Sequence, residues 1–221
     1  MPDLTFQITD VEPATRGLVP LLIFHLEATN TPPEETIQSA TLQMQIQFQC
    51  PQRPYTPAEK EKLLDLFGTP ERWGQTLRNR LWTHATATLG TFNGNTTARV
   101  AVPCTFDLNI SAAKYFYALD QGVVPLLFLF SGTVFYSAQD GRLQAQRIPH
   151  DKECTWRMPA TVWRDLMDHH WPNTAWLTLE RDVFDRLSDF KRTHGLQNWE
   201  QTIERLLQHA DAPEPILELH T

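Results

Sequence analysis

Apolar and polar residues alternate strictly over residues 40–50, and this is the clearest pattern in the chain. The apolar positions are Ala40, Leu42, Met44, Ile46, Phe48 and Cys50, and the polar ones are Thr41, Gln43, Gln45, Gln47 and Gln49. A period of two predicts a β-strand with one face in the core. Its outward face is either a polar, solvated surface or a docking face, which Gln43, Gln45, Gln47 and Gln49 would form. Amides suit docking because they lose water without leaving a buried charge.

The longest nearly uninterrupted apolar stretch covers residues 122–136 and contains no charged residue. Its content of Val and Phe, and the turn residue Gly122 at its start, predict a strand that is covered on both faces. We expect this strand to form the middle of the main sheet. Ser131-Gly132 within it predicts a bulge or a close approach of another backbone.

Several shorter segments also alternate and predict strands. They cover residues 4–9, 19–30, 81–92, 99–110, 143–148 and 153–158. Asn93-Gly94 and Asp140-Gly141 are pairs that two-residue turns favour, so each predicts a β-hairpin. The pattern therefore predicts a mainly antiparallel sheet or sandwich over residues 1–158.

Helical patterns interrupt and follow these strands. Thr56, Pro57 and Glu59 form a helix start, with a capping box and proline at the first helical position. This start predicts a helical insertion over residues 56–76, and Ser111 predicts the start of a second, short helix.

After Pro159, apolar residues recur at a spacing of three and four, which predicts helices to the end of residue 209. We expect an α+β fold in a single domain over residues 1–209. Within this domain, residues 159–209 form a C-terminal helical cap. Residues 210–221 follow the domain as a flexible tail.

Composition restricts the class of protein. The chain has 221 residues, 41% of them apolar, and a formal net charge of −7. Binding to nucleic acid needs clustered Lys and Arg, so no nucleic-acid partner is expected. No segment approaches the roughly 20 apolar residues that span a bilayer, and residues 1–4 lack the basic start of a signal peptide. We expect a cytoplasmic protein without a membrane span.

Candidate reactive residues are few. Cys50, Cys104 and Cys154 lie on the apolar side of strand patterns and are expected to be buried, reduced thiols. Adjacent His169 and His170 point about 100° apart on a helix, so they do not predict a metal site. The sequence predicts no catalytic residue, no bound cofactor and no metal ligand, and it favours a non-catalytic role.

Motifs spread over most of the chain resemble a known family. They are residues 64–68, 72–73, 81–84, 102–107, 112–116, 125–135 and 162–164, with Phe130-Ser131-Gly132-Thr133-Val134-Phe135 the most distinctive. The chain resembles an uncharacterised bacterial domain-of-unknown-function family. Its members tend to be encoded beside high-affinity nickel–iron hydrogenases and their accessory proteins. By association, the resemblance implies an accessory role for that enzyme, and it assigns no catalytic residues.

Two functions follow as expectations. The first is a non-catalytic, chaperone-like accessory, assembly or structural protein that contacts hydrogenase subunits or maturation proteins. The alternative is a small-molecule-binding protein or enzyme with a pocket between the sheet and the helical cap. The residues expected to line that pocket are Trp82, His84, Trp156, Trp163 and Arg164. A flat amide or apolar face favours the first function, and a cavity with convergent polar groups favours the second.

Overall fold

The apolar stretch at residues 122–136 forms strand β6, Val123–Ser137, which lies in the middle of the larger of two sheets. Strand β3 pairs with one edge of β6, and strands β7 and β8 pair with successive parts of the other edge, all antiparallel. The predicted position of this strand is confirmed. The computed structural model describes residues 1–14, 16–104, 110–138, 141–175 and 177–210, with only the backbone of residue 110.

The eight described strands form two antiparallel sheets. Their bounds are β1 Asp3–Ala14, β2 Leu21–Thr31, β3 Ile37–Phe48, β4 Arg80–Leu89, β5 Asn95–Pro103, β6 Val123–Ser137, β7 Leu143–Arg147 and β8 Glu153–Pro159. The smaller sheet has the order β1-β2-β5, and the larger has the order β4-β3-β6-β7 with β8 also paired to β6. The antiparallel, strand-rich α+β fold agrees with the prediction.

The two sheets pack face to face through aromatic side chains. Phe6 of β1 stacks on Phe130 of β6 with ring centroids 4.4 Å apart, and Phe24 of β2 meets Phe128 of β6 edge to face at 5.3 Å. Such pairs stabilise a core beyond the area that they bury. The core of the protein therefore lies between the inner faces of the two sheets.

Strand β6 is buried on its inner face and only partly covered on its outer face. Leu127, Leu129 and Phe135 point outward and are half-buried, and Ser131 is exposed. The expectation of full cover on both faces was therefore wrong. The apolar outward residues are partly covered because β6 is a central strand, whose side chains are flanked by those of its neighbours.

Asn93-Gly94 does not form the predicted two-residue hairpin turn. Gly94 has a positive φ of 67°, but Asn93 is not among the residues with a positive φ, and a type I′ turn requires one at both positions. The preceding strand β4 pairs with β3, whereas the following strand β5 pairs with β2. The segment therefore carries the chain from the larger sheet to the smaller one, and the predicted hairpin is wrong. The second predicted hairpin, between β6 and β7, is present, although Asp140 lies outside the described residues.

A helical insertion between β3 and β4 forms as predicted. It contains α1 Pro57–Lys62, α2 Leu64–Phe67 and α3 Trp73–Thr76, with 3-10 turns at Cys50–Gln52 and Pro70–Arg72. The Thr56 side chain accepts a hydrogen bond from the backbone of Glu59, and the Glu59 side chain accepts one from the backbone of Thr56, which is the predicted capping box. Helix α4, Ile110–Ala118, connects β5 to β6.

The chain divides into two compact units, Met1–Thr174 and Ala175–Thr221. The single domain over residues 1–209 stays a prediction. Helix α5, Ala160–His170, belongs to the first unit and contacts β1, β2 and β8. Helices α6, Arg181–Thr193, and α7, Trp199–Ala210, belong to the second unit. The three helices predicted as one cap over residues 159–209 are thus divided between the units. Of the predicted tail over residues 210–221, Ala210 is the last residue of α7, and residues 211–221 lie outside the described residues.

None of the helices in the described ranges is both long and apolar enough to cross a membrane.

Candidate protein-binding face

The outer face of the larger sheet brings three of the predicted partner residues together. Gln43, Gln45 and Gln47 lie at alternate positions of β3, so their side chains leave the same side of the sheet. With Thr41, they span about 20 Å along the strand at roughly 3.3 Å per residue. We call this surface, formed by the outward residues of β4, β3 and β6, the amide face.

The neighbouring strands continue the uncharged character of the amide face. Gln43 lies between Thr86 of β4 and Ser131 of β6, and Gln45 lies between His84 and Leu129. The amide face therefore combines amides, hydroxyls, the imidazole of His84 and the leucine side chains of Leu81, Leu127 and Leu129. Charged residues, Glu153 and Arg157 among them, enter at the β8 edge.

The side-chain amides on this face are available for new hydrogen bonds. Gln43 is exposed, and Gln45 and Gln47 are half-buried. None of the three side chains makes a hydrogen bond in the part of the chain that the structure describes. The Ser131 hydroxyl donates to the backbone oxygen of Gln43, at 3.4 Å, and not to its side-chain amide. Each amide can donate two hydrogen bonds and accept two.

The fourth predicted partner residue, Gln49, does not belong to the amide face. It lies beyond the end of β3 and is 6% exposed. Its backbone N–H donates to the carbonyl oxygen of Pro125 at 2.9 Å, where the chain leaves the sheet. The alternation of the sequence continues to residue 50, but the strand ends at Phe48, so the pattern alone misplaced Gln49.

The tryptophans of the predicted pocket fill the core of the first unit. Trp82 stacks on Phe48 with ring centroids 5.3 Å apart, and Trp163 stacks on Phe116 at 4.7 Å. Both are buried, with 4% and 2% of their surface exposed. Trp156 is half-buried and meets Phe24 edge to face at 6.1 Å. These side chains join elements of the fold through contacts with other aromatic rings.

The two polar residues of the predicted pocket lie elsewhere. His84 is exposed on the amide face opposite Gln45, on the other side of the sheet from buried Trp82. Arg164 of α5 donates a hydrogen bond to the carbonyl oxygen of Asp120. The structure therefore does not bring Trp82, His84, Trp156, Trp163 and Arg164 into one pocket.

A buried ion pair, Arg53 with Glu59, was not found from the sequence. The Arg53 guanidinium binds both Glu59 carboxylate oxygens, and its remaining N–H groups donate to backbone oxygens of Pro54, Gln121 and Val123 at 2.6–3.1 Å. All five guanidinium donors are thus used. The capping box identified Glu59, but nothing local to Arg53 signals that its partners lie near residue 121.

Burial acts against the charge of Glu59, but its hydrogen bonds outweigh burial. Desolvation would raise the pKa of Glu59, whereas the bonds from Arg53 and from the backbone N–H groups of Thr56 and Asp120 lower it below its ordinary value. Glu59 is therefore ionised at neutral pH. Because every donor is satisfied within the fold, this pair joins the insertion to the start of β6 and offers nothing to a substrate.

The buried thiols and phenols of the first unit are poor nucleophiles. Burial raises the pKa of Cys50 to about 11 and that of Cys104 to about 12. Burial also raises the pKa of Tyr55 and of Tyr115, whose hydroxyls lie 3.0 Å apart. Cys50 and Cys104 are buried and unpaired as predicted, whereas Cys154 is only half-buried. Thiolates rather than thiols react, so neither buried cysteine suits catalysis.

In the described ranges, no three His, Cys, Asp or Glu side chains converge in a way that could hold a metal ion. One open groove of about 770 Å³ lies beside the insertion. It is lined by Pro51, Arg53, Tyr55, Trp73, Gly74, Leu77, Arg78 and Asn79. None of the five predicted pocket residues lines this groove.

Comparison with known proteins gives one specific match. A family of unknown function (DUF6084) matches residues 1–215. No curated protein sequence matches the chain.

Solved structures show only weak similarity. A β-glucosidase from Kluyveromyces marxianus is 11% identical, with a TM-score of 0.27 over 71% of this chain and 15% of that one. A late embryogenesis abundant (LEA) protein is 11% identical, with a TM-score of 0.30 over 72% of this chain and 71% of that one. β-Glucosidase 3B from Thermotoga neapolitana is 11% identical, with a TM-score of 0.25 over 70% and 17%. Similarity at this level supports no inference about activity.

Proposed function

The chain belongs to the DUF6084 family, whose function is unknown, and we propose that it is a non-catalytic accessory protein that binds a protein partner through the amide face. The observation that carries the proposal is the set of amides at Gln43, Gln45 and Gln47. They lie side by side on a central strand and bond to no described residue. A face of this kind can form several hydrogen bonds with a partner at once.

The composition of the face suits a protein partner. Interface centres are depleted in charged residues, because a buried charge without a partner costs several kcal/mol. Leu127 and Leu129 add half-buried apolar surface at the centre, and the charges of Glu153 and Arg157 lie towards one edge. An uncharged centre with a charged edge is the usual arrangement of a binding surface.

For the identity of the partner we propose a subunit or maturation protein of a nickel–iron hydrogenase system, in the cytoplasm. The support is the family resemblance of the motifs around Phe130-Ser131-Gly132-Thr133-Val134-Phe135, and it is support by association. The proposed role is assembly or structural support, through contact with the partner. Handling of nickel or iron–sulfur clusters would need exposed Cys and His clusters, and it is not part of the proposal.

Affinity purification from the native host tests both parts of the proposal. Three tagged chains are compared: wild type, the double variant Gln45→Lys/Gln47→Lys, and the control Gln7→Lys. Gln7 is an exposed glutamine on β1, in the smaller sheet, so the control adds a lysine to a strand surface away from the amide face. Bound proteins are identified by mass spectrometry, and folding of each variant is checked by circular dichroism.

We expect wild type and Gln7→Lys to retain hydrogenase subunits or maturation proteins, and the double variant to lose at least about 90% of them, because two buried ammonium groups would lack partners. Equal recovery with all three chains would remove the amide face as the binding surface. Recovery of other proteins, lost with the double variant, would keep the face but refute the hydrogenase partner.

Small-molecule binding is the second candidate, and the groove of about 770 Å³ beside Trp73 is the observation that favours it. Arg78 is exposed on this groove and bonds only to the backbone oxygen of Leu77 among the described residues, so its charge is available to an anionic ligand. Native mass spectrometry of the purified protein tests this function. A bound small molecule that Arg78→Ala removes would support it, and an unliganded mass would oppose it.

A further inference from the structure

Residues 83–89 of β4 form an edge of the larger sheet that lacks the usual protection against pairing. After a register shift at Trp82 they pair without interruption with β3 on one side, and they pair with no described strand on the other. They contain no proline, glycine, lysine, arginine or acidic residue. Edges are usually kept from pairing by prolines, charges, bulges or short length. This segment of β4 is therefore open to a further strand.

The other described edge strands carry such protection. Strand β1 has a register shift after Ile8 and contains Pro13, and β5 ends at Pro103. Strand β7 has only five residues, and β8 ends at Pro159. The lack of protection is thus particular to β4 among the edges that the structure describes.

The pairing of β3 shows which backbone groups of β4 face outward. The Ser131 hydroxyl of β6 reaches the backbone oxygen of Gln43, so the backbone groups of Gln43 point towards β6. Gln43 lies opposite Thr86, and opposed residues of an antiparallel pair either bond to each other or both point away. The N–H and C=O of Thr86 therefore point away from β3. His84 and Thr88, two positions to either side, point the same way.

These outward backbone groups are available for pairing. His84, Thr86 and Thr88 are exposed, and among the described residues only the Thr83 hydroxyl reaches one of their backbone groups, the oxygen of His84 at 3.4 Å. Three N–H donors and three C=O acceptors thus recur at every second residue. An extended polypeptide backbone presents the same repeat, and recognition by strand addition uses it.

The charges beside β4 indicate what the added segment carries at one end. Residues 72–104 contain no Asp or Glu, in a chain with a net charge of −7. Arg78 and Arg80 lie just before and at the start of β4. Arg78 bonds only to the backbone oxygen of Leu77, and Arg80 donates to that of Leu66, so neither has a carboxylate partner among the described residues. Carboxylates on the added segment would complement both.

We infer that the free edge of β4 binds an extended segment of another protein as an additional antiparallel strand, with acidic residues at the C-terminal end of that segment. In antiparallel pairing this end lies beside the start of β4, where Arg78 and Arg80 are found. A second copy of β4 fits less well because the acid-free region around it would offer Arg78 no carboxylate.

The side chains of β4 define the rest of the segment. Ala87 points inward and is only half-buried at the margin of the core, so inward apolar side chains on the added strand would cover it. Outward, the uncharged His84, Thr86 and Thr88 favour hydroxyl side chains as cross-strand neighbours. The expected segment alternates apolar and hydroxyl residues and then becomes acidic.

A synthetic peptide of alternating valine and threonine that ends in two aspartates is the probe. Hydrogen exchange of individual amides in the full chain, followed by NMR, locates its binding. With saturating peptide, the amides of His84, Thr86 and Thr88 should exchange at least about 10-fold more slowly, because they gain acceptors. The amides of Ala85 and Ala87 already belong to the β3 ladder and should change little.

A matched peptide that ends in two lysines tests the acidic end. It offers the same backbone and apolar side chains, so it should still pair with β4 but bind at least about 10-fold more weakly at low salt, because its charges repel Arg78 and Arg80. Fluorescence anisotropy of labelled peptides measures both affinities.

A matched pair of proline variants tests the backbone edge. Thr86→Pro removes an outward N–H of β4 and should weaken binding of the aspartate peptide at least about 10-fold. Thr97→Pro does the same on the free edge of β5, because the bonds from Cys104 to Pro20 and from Asn30 to Gly94 show that even-numbered residues face β2. This control should bind the peptide as wild type does.

Three results would overturn the inference: no added protection at His84, Thr86 and Thr88 with saturating aspartate peptide, equal affinity for the two peptides, or protection of the same amides that rises with protein concentration alone. The last would make a second copy the occupant. The exchange readout uses wild-type protein, so it does not depend on the folding of a variant. The inference does not rest on the proposed function, because Gln45→Lys/Gln47→Lys leaves the backbone edge intact and should still bind the peptide.

Discussion

The guanidinium of Arg53 holds both carboxylate oxygens of Glu59 in a buried pair, with nitrogen–oxygen distances of 2.9 and 2.8 Å. The two side chains are 4% and 2% exposed. The same guanidinium binds the carbonyl oxygens of Gln121 and Val123, immediately before and at the start of β6. One side chain thus connects the helical insertion to the central strand.

Replacement of Arg53 by Ala should be strongly destabilising. It leaves the Glu59 carboxylate buried without its cation and removes the hydrogen-bond donors of three backbone carbonyls, so we expect a loss of about 3–5 kcal/mol in the free energy of unfolding. Urea denaturation followed by fluorescence measures this loss. The control is Arg78→Ala, an exposed arginine of the same region, with an expected change within about 0.5 kcal/mol. A loss below about 1 kcal/mol for Arg53→Ala would contradict a structural role for the pair.

The same pair should make stability depend on pH in the acid range. The pKa of Glu59 is lower in the folded chain than its ordinary value of 4.5. A carboxylate with a lowered folded pKa stabilises the fold above about pH 4.5, and this contribution is lost as the pH falls through the folded pKa. We therefore expect the free energy of unfolding to fall below pH 4.5, and to fall less steeply in Glu59→Gln.

High salt removes a competing contribution from this experiment. The pKa of exposed Asp65 is also lowered, first by its hydrogen bond from Lys114, but salt screens an exposed pair far more than a buried one. Denaturation at several pH values in high salt should therefore retain the difference between wild type and Glu59→Gln. Parallel pH profiles for the two chains would show that Glu59 is not responsible.

Local patterns in the sequence were sufficient to predict much of the fold. The alternation from Ala40 to Phe48 gave the strand and its inner face, because a half-buried strand imposes a period of two. The capping box at Thr56 and Glu59 was predictable because all its atoms lie within one helical turn. The position of β6 followed from its lack of charge, since a central strand has little access to water.

Features that depend on distant contacts were not predictable. Asn93-Gly94 is a pair that hairpin turns favour, but the pair alone does not determine which strands are joined, and the Asn30 N–H that donates to Gly94 lies far away in sequence. A core tryptophan such as Trp82 has the same local pattern as one that lines a pocket. For the amide face, Gln43, Gln45 and Gln47 followed from alternation, whereas the position of Gln49 required knowledge of where the strand ends.

Gly132 should tolerate no side chain. Its φ is 143°, which favours glycine, and a Cβ atom would overlap with the backbone oxygen of Thr41 on the paired strand. The close approach of another backbone, expected from the sequence, is thus present. Gly132→Ala should cost more than about 2 kcal/mol in unfolding free energy, because neither strand can move without breaking the ladder.

Gly90 provides the matched control for Gly132. A Cβ at Gly90 meets nothing within 4 Å and needs no positive φ, so Gly90→Ala should change stability by less than about 1 kcal/mol. Thermal denaturation of both variants makes the comparison. Equal melting temperatures would mean that β6 does not pass as close to Thr41 as described.

Phe130 tests whether β6 is the organising strand of the fold. Its side chain is 2% exposed and stacks on Phe6 of the opposite sheet with ring centroids 4.4 Å apart. Phe130→Ala removes this contact between the sheets and leaves a cavity, so we expect a loss of about 3–5 kcal/mol in urea denaturation. Phe135→Ala, on the half-buried outer face of the same strand, should cost clearly less because water can fill the space. A loss below about 1 kcal/mol for Phe130→Ala, or a larger loss for Phe135→Ala than for Phe130→Ala, would contradict the assignment of Phe130 to the core-facing side of β6.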